Sequence, residues 1–530
     1  MGPLWTPFDN RTRSTAGPKK RILVVNAFFD HLRRVGPRPR SIPQSMAPAY
    51  LAGAFARDRC EVRAWNEQHG GPLSDPGALA WPDMLVLTGL TNAFDRMLQL
   101  TAYARTLNPR VVVVAGGPAI RALPRHARLF FDYVCTGDVE EMLEVAAEAL
   151  GPDHVAEELF PRLDLATWMG PYGYLESSRN CNFHCSFCSL TADGYAYRPY
   201  SLEYIRRQIL GIGRRRFVIF IDNNFYGNDR DFFRARMALL RELHRDGRLD
   251  GWGALVTNDL FADDENLALA RDAGCLALFS GIESFDPTVL RGYRKLQNTG
   301  VAHVEMIRRC FEAGIVFAYG VILDFASRTL AELGAEMDEI VGNPAIPLPN
   351  YFSGVIPLLQ TPYFHQCLHR GLLLPSTKLR DMDTTTLTVR PHDPVDEVAA
   401  FLADLPTLRR YRARVPLRTL AFLRRYKRYL SWLQVGISLS GPAMLCLPSS
   451  SSGVPLRRAA GRRTFVTTTE PLDSLYTPAF RVDRRYESYF RPTMITDANG
   501  QVNEELREDL LATAGLSSVV GGAPAISERR

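Results

Sequence analysis

From Arg21 to Ile356 the chain alternates short apolar runs rich in β-branched residues with longer amphipathic stretches, and this alternation limits its fold more than any other feature. The first set of runs is Arg21–Phe28, Glu61–Asn66, Met84–Thr88, Val111–Ala115 and Asp132–Thr136, with helical patterns at Ala47–Ala56, Phe94–Leu107 and Glu140–Leu150. The second set is Tyr174–Ser178, Phe217–Asp222, Trp252–Thr257, Leu276–Gly281, Val316–Leu323 and Tyr351–Ile356. It is interleaved with helical patterns at Leu202–Ile212, Asp231–His244, Asp264–Ala273, Val301–Ala313 and Leu330–Val341. Strands that are apolar throughout must be covered on both faces, and the intervening helices supply the cover, so an α/β fold with parallel sheets is predicted. About five strands in the first set predict a doubly wound, flavodoxin-like domain over 21–152, whose ligands sit beyond the carboxyl ends of the strands. About six βα units make up the second, over 165–360.

The second set carries its chemistry in the run Cys181-Asn182-Phe183-His184-Cys185-Ser186-Phe187-Cys188. Three cysteines at C-x3-C-x2-C spacing in one short loop offer a cubane iron–sulfur cluster three of its four ligands, one thiolate per iron, and leave the fourth iron open. Phe187 would shield that face from water. Zinc would need Cys181, Cys185 and Cys188 with His184 or a distant ligand, but structural zinc sites come as two separated ligand pairs and no second pair stands nearby. An odd number of cysteines in a 530-residue chain does not read as a disulfide scaffold. Cys60, Cys135, Cys275, Cys310, Cys367 and Cys446 are scattered and read as small buried apolar residues.

This run resembles the signature of radical S-adenosylmethionine (SAM) enzymes, in which SAM chelates the fourth iron of a [4Fe–4S] cluster. The resemblance implies a partial (β/α)6 barrel, with the cysteine loop after its first strand; barrel sheets carry their chemistry on such strand-end loops. Phe220-Ile221-Asp222-Asn223-Asn224-Phe225 and Ser280-Gly281-Ile282-Glu283-Ser284 are similar to two further segments of that family. They imply Phe187, Asp222, Asn224, Gly281, Glu283 and Ser284 as cofactor-binding residues, and Lys295 matches a recurrent lysine. Gly320-Val321-Ile322 and Ile356-Pro357 would flank the adenine. Helix capping or a turn bond is the plain reading of Asp222 and Glu283.

The carboxyl ends of the first set are small and polar: Thr88-Gly89-Leu90-Thr91-Asn92, Gly116-Gly117-Pro118 and Thr136-Gly137-Asp138. Glycine admits close backbone approach to a large ligand, although ordinary βα turns favour the same residues. Standing directly before the cysteine run, the domain resembles the cobalamin-binding domain of cobalamin-dependent radical SAM enzymes, which implies Thr88, Gly89, Thr91, Gly116, Gly117, Thr136 and Gly137 as cobalamin contacts. The chain departs from the histidine-on D-x-H-x-x-G motif: Asp30-His31-Leu32-Arg33-Arg34 has the wrong spacing, so cobalamin would be held without a histidine below the metal. The same absence is compatible with a degenerate domain that binds no cobalamin.

The resemblance implies that a 5′-deoxyadenosyl radical activates an unreactive carbon of a small-molecule substrate, which methylcobalamin then methylates, as in antibiotic and other specialised pathways. It also implies an electron donor such as flavodoxin or ferredoxin. An oxidative cyclase or ring-rearranging enzyme of the same architecture is the main alternative. A tRNA methylthiotransferase would want further N-terminal cluster cysteines, and an iron–sulfur or cobalamin sensor would not need the SAM-like strand ends.

Composition sets the remaining bounds. Hydrophobic residues make up 46% and charged residues 23%, ordinary for a globular protein, and a net charge of +6 does not imply nucleic acid. Residues 1–20 read as a disordered leader without the apolar stretch of a signal peptide, so a reducing cytoplasm is expected. Residues 361–530 are expected to form a mostly helical closing region around the substrate. Within it, Leu408–Tyr429 is a basic amphipathic segment able to meet a membrane, RNA or an acidic partner, but expected to pack its apolar stripe on the barrel. Tyr429–Pro448 lacks charge yet carries two prolines and two glycines, so membrane association is not expected. Ser449–Gly453 reads as a flexible break.

Overall fold

The computed structural model describes residues 18–29, 45–300, 302–384, 386–404, 414–439, 466–467 and 476–511. The leader up to residue 17, the Asp30–Arg34 segment, Cys446 and the break at Ser449–Gly453 lie outside the described residues.

The first apolar runs become β1 (Lys20–Asn26), β2 (Cys60–Asn66), β3 (Met84–Thr88), β4 (Val112–Gly116) and β5 (Tyr133–Cys135). They form one sheet in the order β2-β1-β3-β4-β5, every pair parallel. Ile22 through Val25 and Met84 through Leu87 are buried, as the continuous apolar pattern requires. The chain leaves β1 toward one edge and then crosses to β3 on the other side, so the strand order reverses at the seam between β1 and β3. Asn26 and Thr88 pair at the carboxyl end of that seam, where open α/β sheets leave a crevice.

The second set becomes β6 (Tyr172–Leu175), β9 (Phe217–Phe220), β10 (Trp252–Val256), β11 (Cys275–Glu283), β12 (Val316–Leu323) and β13 (Tyr351–Gly354). These six strands lie in sequential order, all parallel, as a curled half-barrel sheet. One element was not anticipated. The strand expected at Tyr174–Ser178 ends at Leu175, and β7 (Ser178–Arg179) instead pairs antiparallel with β8 (Arg198–Pro199). That short ladder closes the base of the cysteine loop.

Past residue 361 the described residues share their cores with both sheets. Among the described residues, α-helices occur there at Pro362–His369, Val395–Asp404, Arg414–Tyr426, Trp432–Ser438 and Glu504–Leu511. Tyr363, Phe364, Leu379, Met382, Phe490, Ile495, Leu506 and Leu510 share a core with β1, β3 and the helix Phe94–Leu107. That helix is consequently buried on nearly every side, with Tyr103 against Phe480 (4.6 Å) and Phe490 (5.4 Å). Val415, Phe422 and Tyr426 join the barrel core instead, so the basic helix does pack an apolar stripe on the barrel. Side-chain periodicity shows that a helix has an apolar face, but not which of two cores will take it.

Candidate active site

The cysteine loop hangs from the carboxyl end of β6 and is held by bonds to four other parts of the chain. Asn224 Nδ2 donates to the side-chain oxygen of Asn182 (2.7 Å). The Ser186 amide donates to Tyr293 O (2.8 Å), and the Tyr363 amide to Ser186 O (2.9 Å). Thr191 donates through its hydroxyl to Cys185 O (2.8 Å) and through its amide to Cys188 O (3.0 Å), which starts the helix Ser189–Asp193. Gln297 Nε2 donates to Cys185 Sγ (3.4 Å).

Burial pushes the Cys188 thiol up to about 11, with the charges of Cys185 and Cys181 adding to it, and burial raises Cys181 as well. The three sulfurs thus sit within electrostatic reach of one another and of Lys295. Among the described residues no three His, Cys, Asp or Glu side chains converge as a single bound ion would require, and His184 is exposed. A cubane is satisfied differently, because each thiolate meets a different iron at a different corner. Thiols raised by burial need a local cation to ionise, and iron supplies it. The donor set therefore fits a cluster.

Next to this loop, β11 ends in an irregular step between Gly281 and Glu283. Glu283 has φ +65°, a left-handed conformation costly for a residue with a side chain and concentrated at functional sites. A Cβ on Gly281 would sit 2.1 Å from Glu283 Oε1 and 2.9 Å from Lys295 Nζ, so any side chain there would displace that pair. Burial disfavours the Lys295 charge, but Glu283 and the nearby Cys185 and Cys188 outweigh it and raise the ammonium's pKa. Lys295 Nζ also lies 5.7 Å from the centre of the Phe187 ring, which packs edge-on against Tyr293 (5.2 Å).

Three groups that sequence reasoning missed face the same region. Asn258 Nδ2, Asp259 Oδ2 and Asn298 Oδ1 are buried without a hydrogen-bond partner among the described residues. Burial also raises the Asp259 carboxyl, which in turn contributes to the upward shift of Cys181. Unsatisfied buried polar atoms are rare and costly, and here they stand beyond β10 and β11, where a ligand with ammonium, carboxylate and hydroxyl groups would satisfy them. The signal in the sequence was the placement of Thr257-Asn258-Asp259 at a strand end, which looks like an ordinary turn.

Asp222 has a different job from the ligand contact expected of it. It is 1% exposed, and its oxygens accept from the Ser177 amide (2.7 Å), the Ser177 hydroxyl (2.5 Å) and the Ser178 hydroxyl (2.6 Å), with Arg236 at 3.8 Å. It therefore bends the chain after β6 and aims the cysteine loop. Asn224, fully buried, grips that loop through Asn182. The Ser284 hydroxyl donates to Glu336 (2.7 Å), in the helix Leu330–Gly342 that follows β12.

At the first sheet, Thr88, Gly116, Gly117 and Gly137 line a cavity of about 290 Å³, with Leu51, Val86 and Met142 among its apolar walls and Glu176, Arg179 and Ile221 reaching in from the barrel. Gly117 has φ +111°, and a Cβ there would lie 2.7 Å from Gly89 O; a Cβ on Gly89 would lie 2.9 Å from Ala27 O. Gly89 thus lets the loops after β1 and β3 touch, and Gly117 those after β3 and β4. Thr91 lines a neighbouring cavity of about 220 Å³ instead. The carbonyls of Thr136 and Gly137 both accept from Arg121 (2.9 Å each), whose other end meets Asp193 (2.5 Å) just past the cysteine loop. Arg179 makes a second bridge, from Asp138 (2.6 Å) in the first domain to Glu176 (2.9 Å) after β6. Desolvation pushes Glu176 up to about 7. Cys60, Cys135, Cys275, Cys310 and Cys367 are unpaired thiols away from the loop.

Comparison with known proteins agrees with this geometry. Residues 175–340 match the Radical SAM superfamily. The chain is 26% identical over 356 residues to the hopanoid C-2 methylase of Rhodopseudomonas palustris, an alignment covering 62% of this chain and 66% of that protein. It is 25% identical over 342 residues to an uncharacterized methyltransferase of Synechocystis, covering 60% and 62% respectively. The chain thus spans just under two thirds of the length of either relative. In fold it is similar to the cobalamin-dependent SAM radical enzyme OxsB, solved with aqua-cobalamin and SAM bound, at a TM-score of 0.52 and 14% identity over 80% of this chain and 72% of that one. A radical SAM domain implies a [4Fe–4S] cluster and SAM as cofactors. The match to the Radical SAM superfamily over residues 175–340 thus begins just before the three-thiol loop.

Proposed function

We propose that the protein is a cobalamin-dependent radical SAM methyltransferase that methylates an unactivated carbon of a small molecule in a specialised pathway. One observation carries the reading: the thiol loop stands between two sets of strand ends, with unsatisfied polar groups of the barrel on one side and a crevice of the first sheet on the other. Cys181, Cys185 and Cys188 would hold three irons of the cluster. Glu283, Lys295, Asn258, Asp259 and Asn298 would bind the amino-acid and ribose groups of SAM. We read the first domain as flavodoxin-like, with Thr88, Gly116, Gly117 and Gly137 against one face of the corrinoid and Leu51, Val86 and Met142 as an apolar floor. Arg121 and Arg179 would hold the two domains in register, which matters because a carbon radical abstracts hydrogen from whatever lies nearest. When bound, these cofactors supply radical generation and methyl transfer, while the protein positions them and excludes water. The relatives named methylase and methyltransferase support methyl transfer over cyclisation. An oxygen-sensitive cluster suits a reducing cytoplasm.

The test is anaerobic reconstitution with iron, sulfide and cobalamin, followed by SAM carrying a labelled methyl group and candidate substrates. The expected result is both a cluster and a corrinoid spectrum, 5′-deoxyadenosine, and label in the product. Full activity without corrinoid, or a zinc-loaded loop that never cleaves SAM, would overturn the reading.

A further inference from the structure

Residues 405–469 contain thirteen arginines and lysines and not one aspartate or glutamate, in a chain whose formal net charge is +6. The described part of this stretch is anchored through its inner face. Arg418 donates to the carbonyls of Ile340 (3.3 Å), Asn343 (3.1 Å) and Ile346 (2.5 Å), and Gln434 Nε2 to those of Leu276 (3.1 Å) and Gly314 (2.5 Å). With those anchors made, a second apolar set is left outside: Leu417 is 71% exposed, Leu420 45%, Trp432 78% and Leu433 43%. Arg414, Arg424, Arg425, Lys427 and Arg428, interleaved with it along the same stretch, are exposed as well. Lys427 Nζ lies 4.6 Å from the centre of the Trp432 ring, and the Arg428 guanidinium 4.7 Å from that of Tyr429.

We infer that this face docks peripherally on an anionic lipid surface. Leucines and a tryptophan interleaved with cations form the pattern of an interfacial helix, in which the apolar groups enter the acyl boundary and the basic side chains reach back to the headgroups. Tryptophan and tyrosine favour that same boundary. Charge complementarity names the lipid: about 1 kcal/mol is gained per basic residue near an anionic leaflet, a factor of about five in partition. Nucleic acid would satisfy the cations but leave Leu417, Leu420 and Leu433 against a polar backbone. An acidic electron donor is disfavoured by position. Gln434 grips residues at the amino-terminal ends of β11 and β12, the opposite end of the barrel from the thiol loop such a donor must reach. No helix among the described residues is long and apolar enough to cross a membrane, so the contact is with one leaflet.

The test is flotation of the full chain with vesicles of phosphatidylcholine, with and without phosphatidylglycerol. It reads partition alone and is independent of any turnover. Binding should require phosphatidylglycerol, fall with added salt, and shift tryptophan emission to shorter wavelength, a shift that Trp432→Phe removes. Arg424→Gln and Arg428→Gln should each lower partition about five-fold, and Leu417→Asn with Trp432→Ala should abolish it, all without changing the melting temperature. Absence of binding to anionic vesicles, binding unchanged in these variants, or tighter binding to single-stranded RNA or an acidic protein than to vesicles would overturn the inference.

Discussion

Lys295 Nζ lies 2.6 Å from Glu283 Oε1, with the two side chains 9% and 10% exposed, so the last residue of β11 and the loop after it meet as a buried ion pair beside the thiol loop. Removing one partner strands a charge that water can no longer solvate, at a cost of about 3–5 kcal/mol. Lys295→Met should lower the unfolding free energy by that order in denaturant titrations. Adding Glu283→Gln should recover most of the loss, because no charge is then left buried. SAM affinity, measured by equilibrium binding, should be lost in both variants. Parent-like affinity in the double variant would remove Glu283 and Lys295 from the binding site.

The cluster ligands should separate cleanly from the crevice in the first domain. Cys185→Ala should abolish 5′-deoxyadenosine formation while leaving the corrinoid absorption of the reconstituted protein intact. Retained turnover would count against the cluster assignment.

Gly117→Ala should act where the loops after β3 and β4 meet. The added Cβ meets Gly89 O at 2.7 Å, and φ +111° is unfavourable for alanine. A loss of about 1–3 kcal/mol in stability is expected, with corrinoid retention falling more steeply than cluster content. Unchanged corrinoid binding at full cluster loading would place the ligand elsewhere.

Glu176 makes stability pH-dependent, and the sign follows from its upward shift. Its carboxyl rises from 4.5 to about 7 mainly through desolvation, so the folded state keeps a proton that the unfolded state gives up. Its favourable contribution is complete below pH 4.5 and lost as pH rises through about 7, amounting to roughly 3 kcal/mol at most. Asp95, raised by burial from 3.8 to about 6, acts in the same direction. Glu176→Gln should therefore flatten the unfolding free energy between pH 4.5 and 7 by more than Asp95→Asn does. Stability that climbs across this window in the parent protein would contradict both shifts.

Much of the site was legible because short-range spacing carried it. The three cysteines occupy a single loop, and Gly281 and Glu283 lie within one strand end, so their chemistry reads directly along the chain. Asn258, Asp259 and Asn298 did not stand out, since what marks them is a missing partner, and a missing partner is visible only in three dimensions. Asp222 and Ser284 were legible as strand-end polar residues, but the orientation of each depends on residues 44 and 52 positions away, Ser178 and Glu336. The same applies to Arg121 and Arg179, ordinary arginines until their distant carboxylate partners come close.

Taken by itself, the sequence determined two parallel sheets, the order in which they occur, and a loop of three thiolates. Continuous apolar runs and cysteine spacing are local properties that survive no alternative fold. Tertiary structure alone decided which core received each helix beyond residue 361, which carboxylates were bound by neighbours, and which leucines of the basic helix were left outside. Those outcomes depend on competition between surfaces far apart in the chain, where burial of one apolar face fixes the exposure of the other.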